Sequence, residues 1–63
     1  LAGPLIALAP SMAAHIRPAG RAMLAGLMAE QEEKVARAYE SAGFRLLNRL
    51  AHPVWPVLLF ARI

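Results

Sequence analysis

The chain has 63 residues and no cysteine, which excludes disulfide bonds and thiolate metal sites. Its two histidines, His15 and His52, are far apart in sequence, so no metal site is expected. Hydrophobic residues make up 59% of the chain, against about 45–50% in ordinary soluble domains on a count that also includes glycine. A small domain has proportionally more surface to cover, so this composition predicts that the residues face a partner or belong to a larger core.

The formal net charge is +3, which by itself would favour an anionic partner. The seven basic residues form no run and have no interleaved aromatic residues, so a nucleic-acid surface is not expected; they are Arg17, Arg21, Lys34, Arg37, Arg45, Arg49 and Arg62. A membrane-spanning helix needs about 20 mostly apolar residues. The apolar segments 1–16 and 50–61 are both shorter and interrupted by prolines, so no membrane span is expected.

The first element is predicted to be helical. Apolar residues recur at helical spacing in residues 1–16, namely Leu5, Leu8, Met12 and Ile16, with Ala9 and Ala13 beside them. Pro10 inside a helix would remove a hydrogen bond. The segment is therefore either a kinked helix or a short turn followed by a helix from about Pro10. The sequence Arg17-Pro18-Ala19-Gly20 then predicts a turn.

A strand and a helix follow. Residues 21–28 form an uncharged apolar run after Arg21, which suits a strand buried on both faces as in a parallel sheet, although periodicity alone does not exclude a buried helix. Residues 29–42 predict an amphipathic helix with Gly43 at its C-terminal cap. Its inward face is Gln31, Val35, Ala38, Tyr39 and Ala42, and its charges allow the pairs Glu30–Lys34 and Glu33–Arg37.

Two strands end the chain. Residues 44–50 alternate, with Phe44, Leu46, Asn48 and Leu50 on one face, as in a half-exposed strand near a sheet edge. Residues 55–63 predict a last strand with Pro56 near its beginning. The order helix, strand, helix, strand, strand predicts an α/β fold with a right-handed parallel crossover and an antiparallel final pair. Such a sheet is incomplete and needs further strands and helices to cover it.

Few residues suggest chemistry. The sequence has no glycine-rich phosphate loop and no Asp, and neither Ser11 nor Ser41 has a histidine at a useful local spacing, so no catalytic residue is predicted. The adjacent Glu32 and Glu33 are expected to be solvated on their helix. His52 is the better candidate for a position beside a substrate, whereas Trp55 is expected to pack where the sheet ends.

Several short stretches, in order, resemble one known family. Leu1-Ala2-Gly3-Pro4-Leu5 resembles the Asn-Ile-Leu-Ala-x-Pro-Leu segment that follows the fourth strand in ribosomal protein methyltransferases of the L-eleven type. Arg17-Pro18-Ala19-Gly20 resembles their Lys-Pro-Gly-Gly turn, with Ala19 in place of a glycine. Leu24-Ala25-Gly26-Leu27 resembles their fifth strand, and Trp55 resembles the tryptophan of their last hairpin.

The resemblance implies a Rossmann-like, class I methyltransferase fold, of which residues 1–63 would be only the C-terminal portion: helix, strand five, helix, strand six and an antiparallel strand seven. It implies a cytoplasmic transferase that uses S-adenosylmethionine to methylate amino groups of a large-subunit ribosomal protein. The first residue, Leu1, is not an initiator methionine, which favours a fragment.

For the site, the resemblance implies that the glycine-rich cofactor loop and the acidic residue that holds the ribose lie upstream. Leu1 and Ala2 would be the only residues near the cofactor, as flanking backbone. The isolated chain is therefore expected to bind no cofactor and to be inactive. Two alternatives remain: a small non-enzymatic interaction module that pairs through its apolar strands, or a basic peptide that binds a membrane or nucleic acid.

Overall fold

Two helices and three strands form this chain in the computed structural model, which describes residues 2–50 and 52–63. A short 3₁₀ helix precedes the second α-helix, over Ala29–Gln31. The elements in chain order are α1 (Ala2–His15), β1 (Arg21–Leu24), α2 (Glu32–Ser41), β2 (Phe44–Leu50) and β3 (Val57–Arg62). This is the order that the sequence predicted.

The sheet has β3 in its centre, in the order β1-β3-β2. Both neighbours pair with β3 in antiparallel fashion. Strands β1 and β2 therefore point in the same direction although they do not touch, which is the relation that a helical crossover between them predicts. The predicted α/β fold, with an antiparallel final pair and β2 at a sheet edge, is confirmed.

Helix α1 continues through Pro10, so the alternative of a turn followed by a helix from about Pro10 is wrong. Ala9 and Ala13 are buried, whereas Leu8 is exposed. The helix thus contacts the rest of the chain through its small side chains, with Leu5, Met12 and Ile16 packed beside them.

Strand β1 is shorter and less buried than the sequence predicted. It ends at Leu24, and Gly26 follows with a φ of +79°, a conformation that breaks a strand and favours glycine. Ala22 and Leu24 are buried, but Met23 is 68% exposed. The prediction of burial on both faces is wrong for this chain, because its two helices cover only one face of the sheet.

The core on the covered face centres on three aromatic rings. Tyr39, Phe44 and Phe60 are fully buried, and their ring centroids lie 5.3–6.1 Å apart. Such pairs add to the free energy gained by burying the rings. The Tyr39 hydroxyl donates a hydrogen bond of 2.9 Å to the carbonyl oxygen of Leu5 in α1. One side chain therefore ties both helices to the sheet.

The turn between α1 and β1 contains an unfavourable backbone conformation. Ala19 has a φ of +70°, and its amide donates to the carbonyl oxygen of Arg62 at 2.8 Å, which fixes it there. A Cβ atom on the next residue, Gly20, would lie 2.6 Å from Ile16 Cγ2 and 2.8 Å from the Arg17 carbonyl oxygen. The turn thus needs Gly20 but holds an alanine where glycine would fit better.

We expect Ala19→Gly to raise the free energy of unfolding by about 0.5–1 kcal/mol. The left-handed conformation costs an alanine about 1–2 kcal/mol, and glycine relieves this cost. The greater flexibility of glycine in the unfolded state offsets only part of that stabilisation. Denaturant unfolding of the full-length polypeptide that contains these residues measures the change. The control Gly20→Ala should be destabilising, and a destabilised Ala19→Gly variant would show that the turn is not strained.

We expect Tyr39→Phe to lower the free energy of unfolding by about 1 kcal/mol at neutral pH, because it removes one buried hydrogen bond. Burial raises the pKa of Tyr39 above its ordinary value of 10.0. The stabilisation that the neutral phenol contributes is therefore present below about pH 10 and is lost as pH rises through the folded-state pKa. Unfolding curves at pH 8 and pH 11 should show the difference between the two proteins shrinking; a constant difference would contradict this account.

Candidate functional site

The carboxyl ends of β1 and β2 lie at the same edge of the sheet, because the two strands point in the same direction. We call this side the carboxyl edge; it consists of residues 25–28 after β1 and the described residues 52–56 before β3. In open α/β sheets, ligands bind beyond the carboxyl ends of the strands. The carboxyl edge is therefore the candidate functional site.

The two segments of the carboxyl edge are joined to each other. The amide of Ala29 donates a hydrogen bond of 3.0 Å to the carbonyl oxygen of Val54. Leu27 is completely buried and anchors the first segment in the core. The amide of Met28 donates to Gln31 Oε1 at 3.0 Å, which fixes the entry to α2. The loop before β3 thus rests on a segment that is itself held in place.

His52 organises the loop before β3. Its Nδ1 atom accepts hydrogen bonds from the backbone amides of Val54, at 3.1 Å, and Trp55, at 3.0 Å. A nitrogen that accepts from two amides carries no proton, so the neutral ring has its proton on Nε2. His52 in this state has no free basic nitrogen and is unsuited to act as a general base.

Trp55 does not pack in the core, which corrects the sequence-based expectation. Strand β3 begins only at Val57, Pro56 before it is buried, and Trp55 lies outside the strand and is 62% exposed. Its ring stacks on that of His52, with centroids 6.2 Å apart and planes inclined by 10°. The carboxyl edge therefore presents an aromatic ring to its surroundings.

Other apolar side chains at or next to the carboxyl edge are also exposed. Met28 and Val54 come from its two segments, and Leu50 is the last residue of β2. An isolated exposed apolar residue is ordinary, but a group of them marks a surface that contacts something else.

Next to this edge, Arg49 joins the end of β2 to the start of α2. A β-bulge between Leu46 and Asn48 shifts the pairing, so Arg49 lies opposite the buried Leu58 and faces the helices. Its guanidinium forms ion pairs with Glu32 and, at 2.6 Å, with Glu33. Strict alternation had placed Arg49 on the outer face, so the sequence analysis missed this contact.

The acidic residues of α2 thus have a structural role. Glu33 pairs with Arg49 and not with Arg37 as predicted, and no ion pair between Glu30 and Lys34 forms in the described part of the chain. The hydrogen bond that Arg49 donates to Glu33 raises the pKa of Arg49 most, and the one to Glu32 raises it further. Both carboxylates are paired with the Arg49 guanidinium, which argues against a catalytic role for Glu32 and Glu33.

The predicted cofactor-flanking residues lie at the start of the chain. Leu1 is outside the described residues, and Ala2 is the first residue of α1. The other end of α1 is held at the opposite edge of the sheet, where Arg62 Nε donates to the Ala13 carbonyl oxygen at 2.8 Å. The contact of Leu1 and Ala2 with a cofactor stays a prediction.

The described residues form no polar pocket at the carboxyl edge. Within residues 2–50 and 52–63, no group of three His, Cys, Asp or Glu side chains could hold a metal ion, and apart from Tyr39 in the core no side chain with a polar group is buried. A cavity of about 260 Å³ lies at the opposite edge, lined by Arg45, Ala61, Arg62 and Ile63. None of the described helices is long and apolar enough to cross a membrane.

Comparison with known proteins identifies the family to which this chain belongs. The family model described as "Ribosomal protein L11 methyltransferase (PrmA)" matches residues 1–62. A ribosomal protein L11 methyltransferase of a Caulobacter strain is 40% identical over 62 residues, and one from Rhizobium etli is 42% identical over 62 residues. Each alignment covers 98% of this chain but only 22% and 21% of the relative.

A shorter alignment, to the ribosomal protein L11 methyltransferase of Azotobacter vinelandii, is 55% identical over 42 residues; it covers 67% of this chain and 14% of the relative. The class that the fold and these matches define is that of the methyltransferases, and the chain belongs to the ribosomal protein L11 methyltransferase family. It spans about a fifth of the length of the curated relatives that it matches.

We expect Arg49→Gln to lower stability at low salt, because Glu32 and Glu33 are then left side by side without a cation. Arg45→Gln is the matched control on the same strand, since Arg45 lies on the outer face and makes no ion pair within the described residues. Thermal unfolding at low and at high salt measures both variants. The loss for Arg49→Gln should shrink as salt screens the charges, and equal salt dependence in the two variants would contradict the ion-pair assignment.

Proposed function

We propose that these residues complete the catalytic domain of a methyltransferase that transfers a methyl group from S-adenosylmethionine to amino groups of ribosomal protein L11. The observation that carries the proposal is the match of residues 1–62 to the family of that name. Its relatives are four to five times longer than this chain, so the proposed activity is that of the whole protein.

In this proposal the chain supplies three strands and two helices of the catalytic domain, and its carboxyl edge lies beside the active site. S-adenosylmethionine, when bound, would supply an electrophilic methyl carbon on a positively charged sulfur. The described residues offer that group no buried polar side chain, and Glu32 and Glu33 are paired with Arg49. They do not fit a cofactor pocket by themselves, so cofactor binding and proton removal from the amine would fall to residues outside this chain.

The carboxyl edge is the part of the chain that would face the reaction. It combines exposed apolar side chains with a loop that His52 and Ala29 hold in place. Such a surface could line the approach of a protein substrate without touching the methyl group. Methylation of a ribosomal protein also favours a cytoplasmic location.

The direct test compares the full-length polypeptide that contains these residues with the 63-residue chain alone. Each is incubated with purified ribosomal protein L11 and S-adenosylmethionine that carries a labelled methyl group. We expect label on L11 with the full-length polypeptide and none with the short chain. Label transferred by the short chain would overturn the structural role, and no label with the full-length polypeptide would overturn the proposed acceptor.

A further inference from the structure

The loop before β3 depends on a single titratable side chain for its local hydrogen bonds. Among the described residues 52–56, the side-chain hydrogen bonds are the two that His52 Nδ1 accepts from the amides of Val54 and Trp55. The same ring stacks on Trp55. The position of Trp55 is therefore coupled to the protonation state of one imidazole.

We propose that His52 is a pH-dependent latch that fixes Trp55 at the carboxyl edge when its ring is neutral and releases it when its ring is protonated. A protonated imidazole carries a hydrogen on both nitrogens and has no acceptor. Nδ1–H would then point at two amide N–H groups, and both hydrogen bonds would be lost. Histidine is the side chain that ordinarily changes charge between about pH 5 and 8.

His52 forms no ion pair within the described residues. The charged groups at the start of α2 and the end of β2 are Glu30, Glu32, Glu33 and Arg49. Glu32 and Glu33 are paired with Arg49, Glu30 is exposed, and no carboxylate of the described residues lies within ion-pair distance of His52. His52 is itself exposed, so a proton can reach it from solvent.

Protonation would leave one attraction in place. A cationic ring is attracted to the face of an indole, so the two rings can stay near each other in acid. That attraction orients no backbone amide, whereas the lost hydrogen bonds define the turn from His52 to Trp55. Among the described residues, the backbone bond from Ala29 to Val54 and the burial of Pro56 would then still hold the loop.

This inference concerns the loop and does not depend on the proposed methyl transfer. A protonated imidazole quenches the fluorescence of a stacked indole more strongly than a neutral one, so Trp55 fluorescence reports on the charge of His52, whereas hydrogen exchange reports on its two amide bonds. It is the only tryptophan of the 63 residues, and a Trp55→Phe variant isolates its signal in the full-length polypeptide.

The experiment measures Trp55 fluorescence of the full-length polypeptide from about pH 5 to 8 in the wild type and three variants. His52→Asn is the informative variant, because an asparagine side-chain oxygen can accept from the backbone amides two or three residues on but does not titrate. His52→Ala removes the acceptor at every pH. His15→Asn is the matched control, since His15 lies on α1 and its Nδ1 contacts the Ser11 carbonyl oxygen instead.

We expect a single transition in the wild type and in His15→Asn, and a flat profile in both His52 variants. Protection of the Val54 and Trp55 amides against hydrogen exchange, taken relative to the intrinsic exchange rate at the same pH, should be high for His52→Asn and low for His52→Ala at all pH values, and should fall in acid for the wild type. The proposal fails if the transition persists in His52→Asn, or if the wild type shows none. It also fails if His52→Ala protects these amides as well as the wild type does.

Discussion

Tyr39 is the residue on which the arrangement of both helices depends. Its ring lies against Phe44 of β2 and Phe60 of β3, and its hydroxyl reaches the Leu5 carbonyl oxygen of α1. Because Tyr39 is fully buried, its hydroxyl needs a hydrogen-bond partner, and the Leu5 carbonyl oxygen supplies one that links α1 to α2. Packing and hydrogen bonding thus impose the same geometry.

That geometry leaves the sheet covered on one face. Side chains that alternate with the core residues, such as Met23 on β1 and Leu50 on β2, point away from both helices and are exposed. The strands of a sheet with helices on each side are apolar on both faces. Because this chain spans about a fifth of the length of the curated relatives that it matches, we expect a second layer to come from the rest of the proposed full-length domain.

The sequence predicted the elements well where the signal was local. The amphipathic helix α2, the glycine Gly43 with its φ of +108° directly after the C-cap Ala42, and the bounds of β2 follow from helical spacing, glycine chemistry and alternation. The direction of Arg49 could not be predicted, because it depends on a bulge that pairs Asn48 with Leu59 after Leu46 pairs with Phe60. Similarly, His52 was identified as a candidate, but its two amide partners are set by the folded loop.

The two edges of the sheet are built differently, and this difference bears on function. At the edge opposite the carboxyl edge, Arg62 exchanges backbone hydrogen bonds of 2.8 Å with Ala19 and Gly20, and Ile63 donates to Gly43 at 2.9 Å. These hydrogen bonds are made by main-chain atoms, so a side-chain substitution other than one to proline leaves their donors and acceptors in place. At the carboxyl edge, the bonds that hold the loop with Trp55 among the described residues are the backbone bond from Ala29 to Val54 and those accepted by the side chain of His52. A scaffold that is rigid at one edge can tolerate side-chain variation at the other, and binding loops are found on scaffolds of this kind.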